Sequence, residues 1–503
     1  MSVEKSYLPA PASPALLSFL YLGCAGLALF ILWNFNPQAL TVQLTGCGII
    51  VLAIIPSYLW CANKVSGLPV FPPFALSHVA TYGLPLITIP KSVARYEQIA
   101  AVHAGLTATA FLLLTTVVWY LIVRRPARMP RAILVLSPGT GSTVLLLYLS
   151  IACGFQVSAQ AGWLELSPGL YSLVRSASLA LGVLATAGLA HELGARKLTP
   201  FKFWAFALIL TLYLLVQTVS LYLSAAFMTT LIGAVAFSAS RRRLPLAWLT
   251  TVFAVTLFLQ PGKAEMRTWI WSRERGASLT PLDYPAFFQR WAEASVSKLQ
   301  VWADGTTPKK SRSEGIDRAS IVHMLMLVQE KTPDPKPYLN GQTYEVIPEL
   351  LVPRILNEQK ARALAGQYIL CIYYGLQTRA QTHRTGIAFG LPAEAYANFG
   401  YTGIVALALI LGCMHGLVTR YCFALPVLSL RSLFALIFIG LSLRSEASGA
   451  VVVTTLVQAT AVLFAGTWFI MTPLRLAPPE QRIASRFVPP RPATLVPSAG
   501  VQS

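Results

Sequence analysis

The chain has 503 residues, 55% of them hydrophobic and 12% charged, with a formal net charge of +20. A soluble globular chain carries about 25% charged residues, so this composition excludes an ordinary soluble domain and points to a bundle of membrane-crossing helices. The positive excess does not point to nucleic acid, because the basic clusters sit beside apolar runs, where the positive-inside bias puts them.

The first apolar run, 14–35, is long enough to cross a bilayer and reads as a span rather than a cleaved leader. A second follows at 40–62. Residues 68–90 are apolar but carry Pro69, Pro72, Pro73, Pro85 and Pro90. That pattern predicts a kinked span or a segment that dips into the membrane and returns. The span at 98–123 ends in Arg124, Arg125, Arg128 and Arg131, which places that turn in the cytoplasm. Spans at 132–153 and 168–190 come next, joined by a connection whose one charge is Glu165. Arg196, Lys197 and Lys202 mark a cytoplasmic turn. Spans at 201–219 and 222–240 then lead to Arg241, Arg242 and Arg243, and a span at 245–260 carries the chain outward.

Residues 262–393 break the apolar pattern. They hold all four aspartates, twelve of the nineteen acidic residues and seventeen of the thirty-nine Lys and Arg. Charge inside a bilayer is costly, so this stretch is expected as one large periplasmic loop. Met266, Trp269, Ile270 and Trp271 suit an interfacial aromatic belt. Helices are expected at 281–302, 316–328 and 356–376, with an extended proline-rich piece at 332–340. Three spans follow, at 395–418, 425–443 and 449–472, and then a disordered cytoplasmic tail, 473–503. Counting the proline-rich stretch gives twelve spans with both ends inside; leaving it out gives eleven. The expected fold is therefore an all-α polytopic membrane protein of 11–12 transmembrane helices. Its units are an N-terminal bundle of eight or nine spans (1–261), the helical extracytoplasmic loop (262–393), three C-terminal spans (394–472) and the tail.

Of seven cysteines only Cys371 lies in the loop, so no disulfide framework is expected there. No His/Cys cluster has metal-ligand spacing. No aspartate pair suits a metal-bound nucleotide sugar, and no Gly-rich loop suits a phosphate. No metal or cofactor is expected.

Several phrases in the polar stretch and beside it carry a resemblance. They are Pro261-Gly262-Lys263 with Arg267, Asp317-Arg318-Ala319-Ser320, Gly341-Gln342-Thr343-Tyr344, Leu351-Val352-Pro353-Arg354, and Glu394-Ala395-Tyr396-Ala397-Asn398-Phe399-Gly400. In this order, before a final set of three helices, they resemble the Wzy-type O-antigen polymerases, also called oligosaccharide repeat-unit polymerases. Arg379 and Gly390 also fit an Arg-x10-Gly pattern reported for such loops. The resemblance covers residues 245–420; the rest matches by its span pattern alone. It implies a GT-C-like enzyme of a bacterial inner membrane. Such an enzyme joins undecaprenyl-pyrophosphate-linked oligosaccharides outside the membrane, with a chain-length regulator as a further partner. A ligase-like transferase acting on the same lipid carrier would need the same groups, and a transporter is the rival from another class.

The chemistry of that reaction selects candidates. The leaving diphosphate gains negative charge as its bond breaks, so preorganised cations stabilise it. Arg is favoured for its planar fork. The cations are Arg267, Arg318, Arg354 and Arg384, with Lys263 and Arg379 behind them. The sugar hydroxyl that attacks needs a base within hydrogen-bond reach. Glu394 is the first choice, Asp317 and His383 the alternatives. Tyr344, Tyr396 and Asn398 are candidates for holding sugar or for orienting Glu394. His323, on an apolar helical face, is expected to be a packed residue.

Overall fold

The computed structural model describes residues 14–65, 68–125, 130–137, 141–221, 223–241, 243–272, 279–303, 314–352, 356–357, 359–382, 386–423, 425–426, 428–443 and 445–475. In chain order the first helices are α1 (Pro14–Trp33), α2 (Leu40–Cys61), α3 (Phe71–His78), α4 (Leu84–Thr88), α5 (Lys91–Ala94) and α6 (Gln98–Val123). Strand β1 (Ala132–Leu136) precedes α7 (Gly141–Gln160), α8 (Pro168–Gly194), α9 (Pro200–Val219), α10 (Leu223–Arg241) and α11 (Leu246–Leu259). The polar stretch holds α12 (Lys263–Ser272), α13 (Tyr284–Ala303), α14 (Glu314–Ala319), α15 (Val322–Lys331), α16 (Ile347–Leu351), α17 (Ala365–Tyr373) and α18 (Arg379–Thr382). The chain closes with α19 (Leu391–Tyr421), α20 (Leu430–Ser442), α21 (Gly449–Thr467) and strand β2 (Met471–Arg475).

Eight of these helices (α1, α2, α6, α7, α8, α9, α19 and α21) are long and apolar enough to cross a membrane; α10, α11 and α20 are apolar but shorter. Among the described residues the chain is a multi-pass, helical membrane protein with one small sheet. That sheet departs from expectation. Residues 132–136 were expected to begin a span and 471–475 to lie between a span and a loose tail. They pair antiparallel instead, Ala132 opposite Arg475 and Leu136 opposite Met471. The apolar run at 132–136 is bounded by Pro130 and Pro138, and a short run between breakers fits a strand better than a helix.

The proline-rich stretch forms α3, a π-helical turn (Val79–Gly83) and α4. Prolines stand at the first helical positions of both helices, where a missing N–H is harmless. Pro85 has a further effect. It cannot donate to the carbonyl four residues back, that of Thr81. Thr81 O accepts instead from Ile321 N at 2.9 Å, so the break becomes an anchor for the polar stretch.

The polar stretch is not a separable cap. Val322, Met324, Leu325, Met326, Leu327 and Val328 are all buried, in one core with Ala104, Phe111 and Trp119 of α6 and Ala395, Ala397 and Ile404 of α19. A helix that is apolar on most sides has to be surrounded. Three local expectations change with it. The helix expected at 316–328 is interrupted at Ser320 and Ile321. The helix expected at 356–376 is confined to α17. The piece at 332–340 contains turns rather than extended chain. Met266, expected at a lipid interface, is fully buried against Phe287 and Trp291.

The longest helix contact joins α6 and α19, and small residues permit it. A Cβ on Gly412 would lie 2.7 Å from Val118 Cβ, and one on Gly416 2.9 Å from Ile122 Cβ. The Gly-x-x-x-Gly spacing lets two membrane helices approach closely. α19 is itself broken at Gly400, whose φ of 63° is open to glycine at little cost. Its first nine residues, Leu391–Phe399, form a separate helical segment, and that segment carries the candidate site.

Candidate functional site

Glu394 sits in the first turn of α19 and is 0% exposed. Its Oε2 accepts a hydrogen bond from Gly449 N, the first residue of α21, at 2.6 Å. Its Oε1 has no partner in normal hydrogen-bond geometry. The Thr343 hydroxyl is the group placed to donate to this carboxyl, while its oxygen accepts from Asn398 Nδ2 at 2.8 Å. Among the described residues no lysine or arginine pairs with Glu394. A buried carboxyl without a counter-cation is costly. Such a group is retained where its proton chemistry or an absent ligand gives it a role.

The surrounding frame comes from distant parts of the chain. Asn398 lies one helical turn after Glu394. Its Nδ2 also donates to Glu394 O at 2.8 Å, and its Oδ1 accepts from Gly341 N at 3.0 Å. Leu339 N and Asn340 N donate to the carbonyls of Ala397 and Asn398. The Gly341–Tyr344 turn is thus laid onto the start of α19, and Tyr344 stacks on Phe399 with ring centroids 6.3 Å apart. Burial, with the Glu394 carboxylate adding to it, raises the Tyr344 phenol above its ordinary range. Two phrases more than fifty residues apart in sequence therefore form one unit. Asn398 is wholly used in building it, so its part is to hold Thr343 and Glu394 rather than sugar.

Two further polar atoms near this unit also lack partners: Tyr82 Oη and Ser448 Oγ, both on buried residues. A Cβ on Gly390, four residues before Glu394, would lie 3.2 Å from Tyr82 Oη, 3.0 Å from Ser445 O and 2.7 Å from Ile321 Cγ2. Gly390 has φ +78°. A side chain there would be strained and would fill the space before the phenol. Glu394 Oε1, Tyr82 Oη and Ser448 Oγ, on α19, the π turn and the entry to α21, are thus three buried polar atoms without a partner. An unmade buried hydrogen bond costs about 1–3 kcal/mol.

Cations gather on the polar side. Lys263, at the start of α12, is half-buried; burial and the nearby Arg267 and Arg318 lower its ammonium pKa from the ordinary value, and Glu446 opposes them. Arg267 and Arg318 are exposed. Glu446 belongs to the turn before α21, and its carbonyl faces Gln367 Nε2 at 3.4 Å. Lys263 is therefore within electrostatic reach of Arg267 and Arg318, and of Glu446 in the turn that leads to Gly449.

Other candidates go elsewhere. Asp317 Oδ1 accepts from Ser92 N at 2.9 Å, tying α14 to the chain before α6. One of its two oxygens is thereby committed to holding the fold. Tyr396, two residues from Glu394, points to the opposite side of the helix, since two residues turn 200°. It packs among Tyr338 and Tyr401, at 6.3 and 5.1 Å between ring centroids. Arg379 is exposed at the start of α18, and no contact among the described residues joins it to the site. His323 is packed as expected, with Nδ1 3.1 Å from Ser320 Oγ. Arg354, His383 and Arg384 lie outside the described residues. No group of three or more His, Cys, Asp or Glu able to hold a metal occurs among the described residues. Tyr82, Ser448 and Gly449 were not singled out from sequence and nothing local marks them; Thr343 was noted there only within the Gly341–Tyr344 phrase, without a role.

No family model, curated protein or solved structure matches this chain.

Proposed function

We propose that the protein is a lipid-linked oligosaccharide polymerase of a bacterial inner membrane, of the Wzy type and GT-C-like in fold. It would have 11–12 spans, with residues 262–393 on the outer face. The observation that carries the reading is the buried carboxyl of Glu394, which pairs with no lysine or arginine among the described residues, together with the electrostatic grouping of Lys263, Arg267 and Arg318 on the polar stretch. In this reading the substrates are undecaprenyl-pyrophosphate-linked oligosaccharides. A sugar hydroxyl of the acceptor attacks the anomeric carbon of the donor. A carbon–oxygen bond forms, and the bond to the diphosphate breaks. The diphosphate leaves with the bonding electrons, and the hydroxyl proton passes to Glu394. Lys263, Arg267 and Arg318 stabilise the charge that grows on the departing diphosphate, the kind of preorganised electrostatics that commonly lowers such barriers most. No metal or cofactor enters the scheme.

The same groups would serve a ligase that hands one finished glycan to a different acceptor. Purified protein in lipid nanodiscs, supplied with a lipid-linked repeat unit, separates the two. A polymerase returns a ladder of lengths, and a ligase leaves the repeat unit unextended until another acceptor is added. The Lys263→Ala/Arg318→Ala double variant should lose the ladder by at least a hundredfold while remaining folded in the membrane. A full ladder from that variant removes the cations from the site.

A further inference from the structure

Helix α21 begins without a cap of its own. Its N-cap residue, Ser448, has the extended backbone of that position, φ −81° and ψ 160°, yet its side chain bonds none of the first N–H groups of the helix. Ser448 Oγ has no partner. Those first N–H groups have no acceptor within the helix. The acceptor for one of them comes from α19: Glu394 Oε2 accepts from Gly449 N at 2.6 Å, across 55 residues of sequence. The aligned peptide dipoles of this 19-residue helix favour negative charge at that end. Bare backbone flanks the carboxyl. A Cβ on Gly449 would lie 3.6 Å from Glu394 Oε2 and 2.9 Å from Tyr344 Cε1, and one on Gly366 would lie 3.5 Å from Glu394 Oε1. One oxygen is held, and the other has no partner in normal hydrogen-bond geometry.

We propose that Gly449 is a positioning residue of the site: its N–H fixes Oε2 against the head of α21 and leaves Oε1 to take the hydroxyl proton. A base has to be both oriented and ionised. A donor to the charged form of a carboxyl favours that form, so one bond serves both needs. The part given to Oε1 rests on the polymerase reading, whereas the hold on Oε2 does not. The titratable groups packed around the start of α19 are Tyr344, on which the Glu394 charge acts, Tyr82 beside Gly390, and Tyr338 and Tyr396 on the opposite side of the helix. α17 and α21 meet the carboxyl through Gly366 and Gly449, with no titratable side chain at either contact. Glu446 is exposed in the turn before α21, and Arg444 lies outside the described residues.

The test compares Gly449→Pro with Gly449→Ala in the full chain in nanodiscs. Both add a Cβ beside Tyr344; proline alone removes the N–H and puts a ring carbon in its place. Proline suits the first position of a helix, and it requires the extended backbone that Ser448 already has. The readouts are single-turnover transfer against pH and an infrared titration of the Glu394 carboxyl, taken as the difference from Glu394→Gln. Relative to Gly449→Ala, Gly449→Pro should transfer roughly tenfold or more slowly at neutral pH. Its acid limb and its carboxyl midpoint should both lie about one to two pH units higher. Should Gly449→Pro lose the thermal midpoint of Gly449→Ala, an ester at 449 made with glycolic acid removes the N–H without adding a side chain, and is read against the parent in the same way. Equal acid limbs or equal carboxyl midpoints overturn the proposal. A parent that makes no ladder, while the carboxyl midpoints differ as stated, sinks the polymerase reading and leaves the hold on Glu394 standing.

Discussion

Glu394→Gln is the sharpest perturbation available, because it changes the chemistry of the site and little else. The side chain is 0% exposed, and its one firm bond runs from Gly449 N to Oε2 at 2.6 Å. Glutamine keeps an acceptor there and has the same shape. Its amide nitrogen then takes the position of Oε1, so the Thr343 hydroxyl placed to donate to this carboxyl loses its acceptor. The stranded amide donor should cost the fold about 1–3 kcal/mol. The proton acceptor is lost, and a positioned base is worth about 10²–10⁴ in rate. That is roughly 3–5 kcal/mol in the barrier. The assay is single-turnover transfer in nanodiscs, with products resolved by length and a thermal midpoint measured in parallel. A variant that transfers within threefold of the parent at full chain length refutes the assignment of Glu394 as base.

Asn398→Ala leaves Gly341 N and Thr343 without their partner; at about 1–3 kcal/mol for each stranded group, both thermal midpoint and transfer should fall, and an unchanged midpoint would contradict the role given to this residue. His323 carries a pH signature. Burial, with Arg95 opposing its charge, lowers its imidazole from 6.5 to about 4, so the stability it contributes is full above pH 6.5 and is lost as pH falls toward 4. That loss is at most roughly 3 kcal/mol and about 1–2 kcal/mol after solvent screening; acid unfolding of His323→Gln should be shallower over that window, and curves of equal slope would refute the shift. Gly416→Leu places side-chain atoms where a Cβ alone already meets Ile122 Cβ at 2.9 Å. Overpacking of this kind costs about 1–3 kcal/mol or more, and an undisturbed thermal midpoint would show that α6 and α19 do not need the close approach.

The bundle was legible from sequence because apolar length and flanking arginines act locally. Most expected spans from 98 to 467 agree with helices to within a few residues. The strand at 132–136 was misread because five apolar residues look the same to a hydropathy window whether they pair or coil. In the polar stretch, charge content masks the run Val322–Val328, which together with Leu339, Leu370, Cys371, Tyr374 and Phe389 packs into the bundle's core. Within the site, Glu394 stood out as a carboxyl at the edge of a span, and Lys263, Arg267 and Arg318 as cations in motif-like phrases. Tyr396 shared a phrase with Glu394, but helical pitch sends it to the other side. Tyr82 and Ser448 had no signature, since a hydroxyl becomes informative only when the fold strips its partners away.

The shared core of α6, α15 and α19 has a consequence for how the protein is made. α6 ends at Val123, but α15 begins at Val322 and α19 at Leu391. The stripe of α6 that meets α15 and α19, with Thr107, Thr115, Val118 and Ile122, is therefore complete some two hundred residues before its partners leave the ribosome. Until then it faces lipid or the insertion machinery, and the N-terminal helices are held as an unfinished assembly. Chain truncated before residue 391 should accordingly be a substrate for membrane quality control rather than a stable half-molecule, and transplanting residues 262–393 into another bundle would carry away a piece of this one's interior.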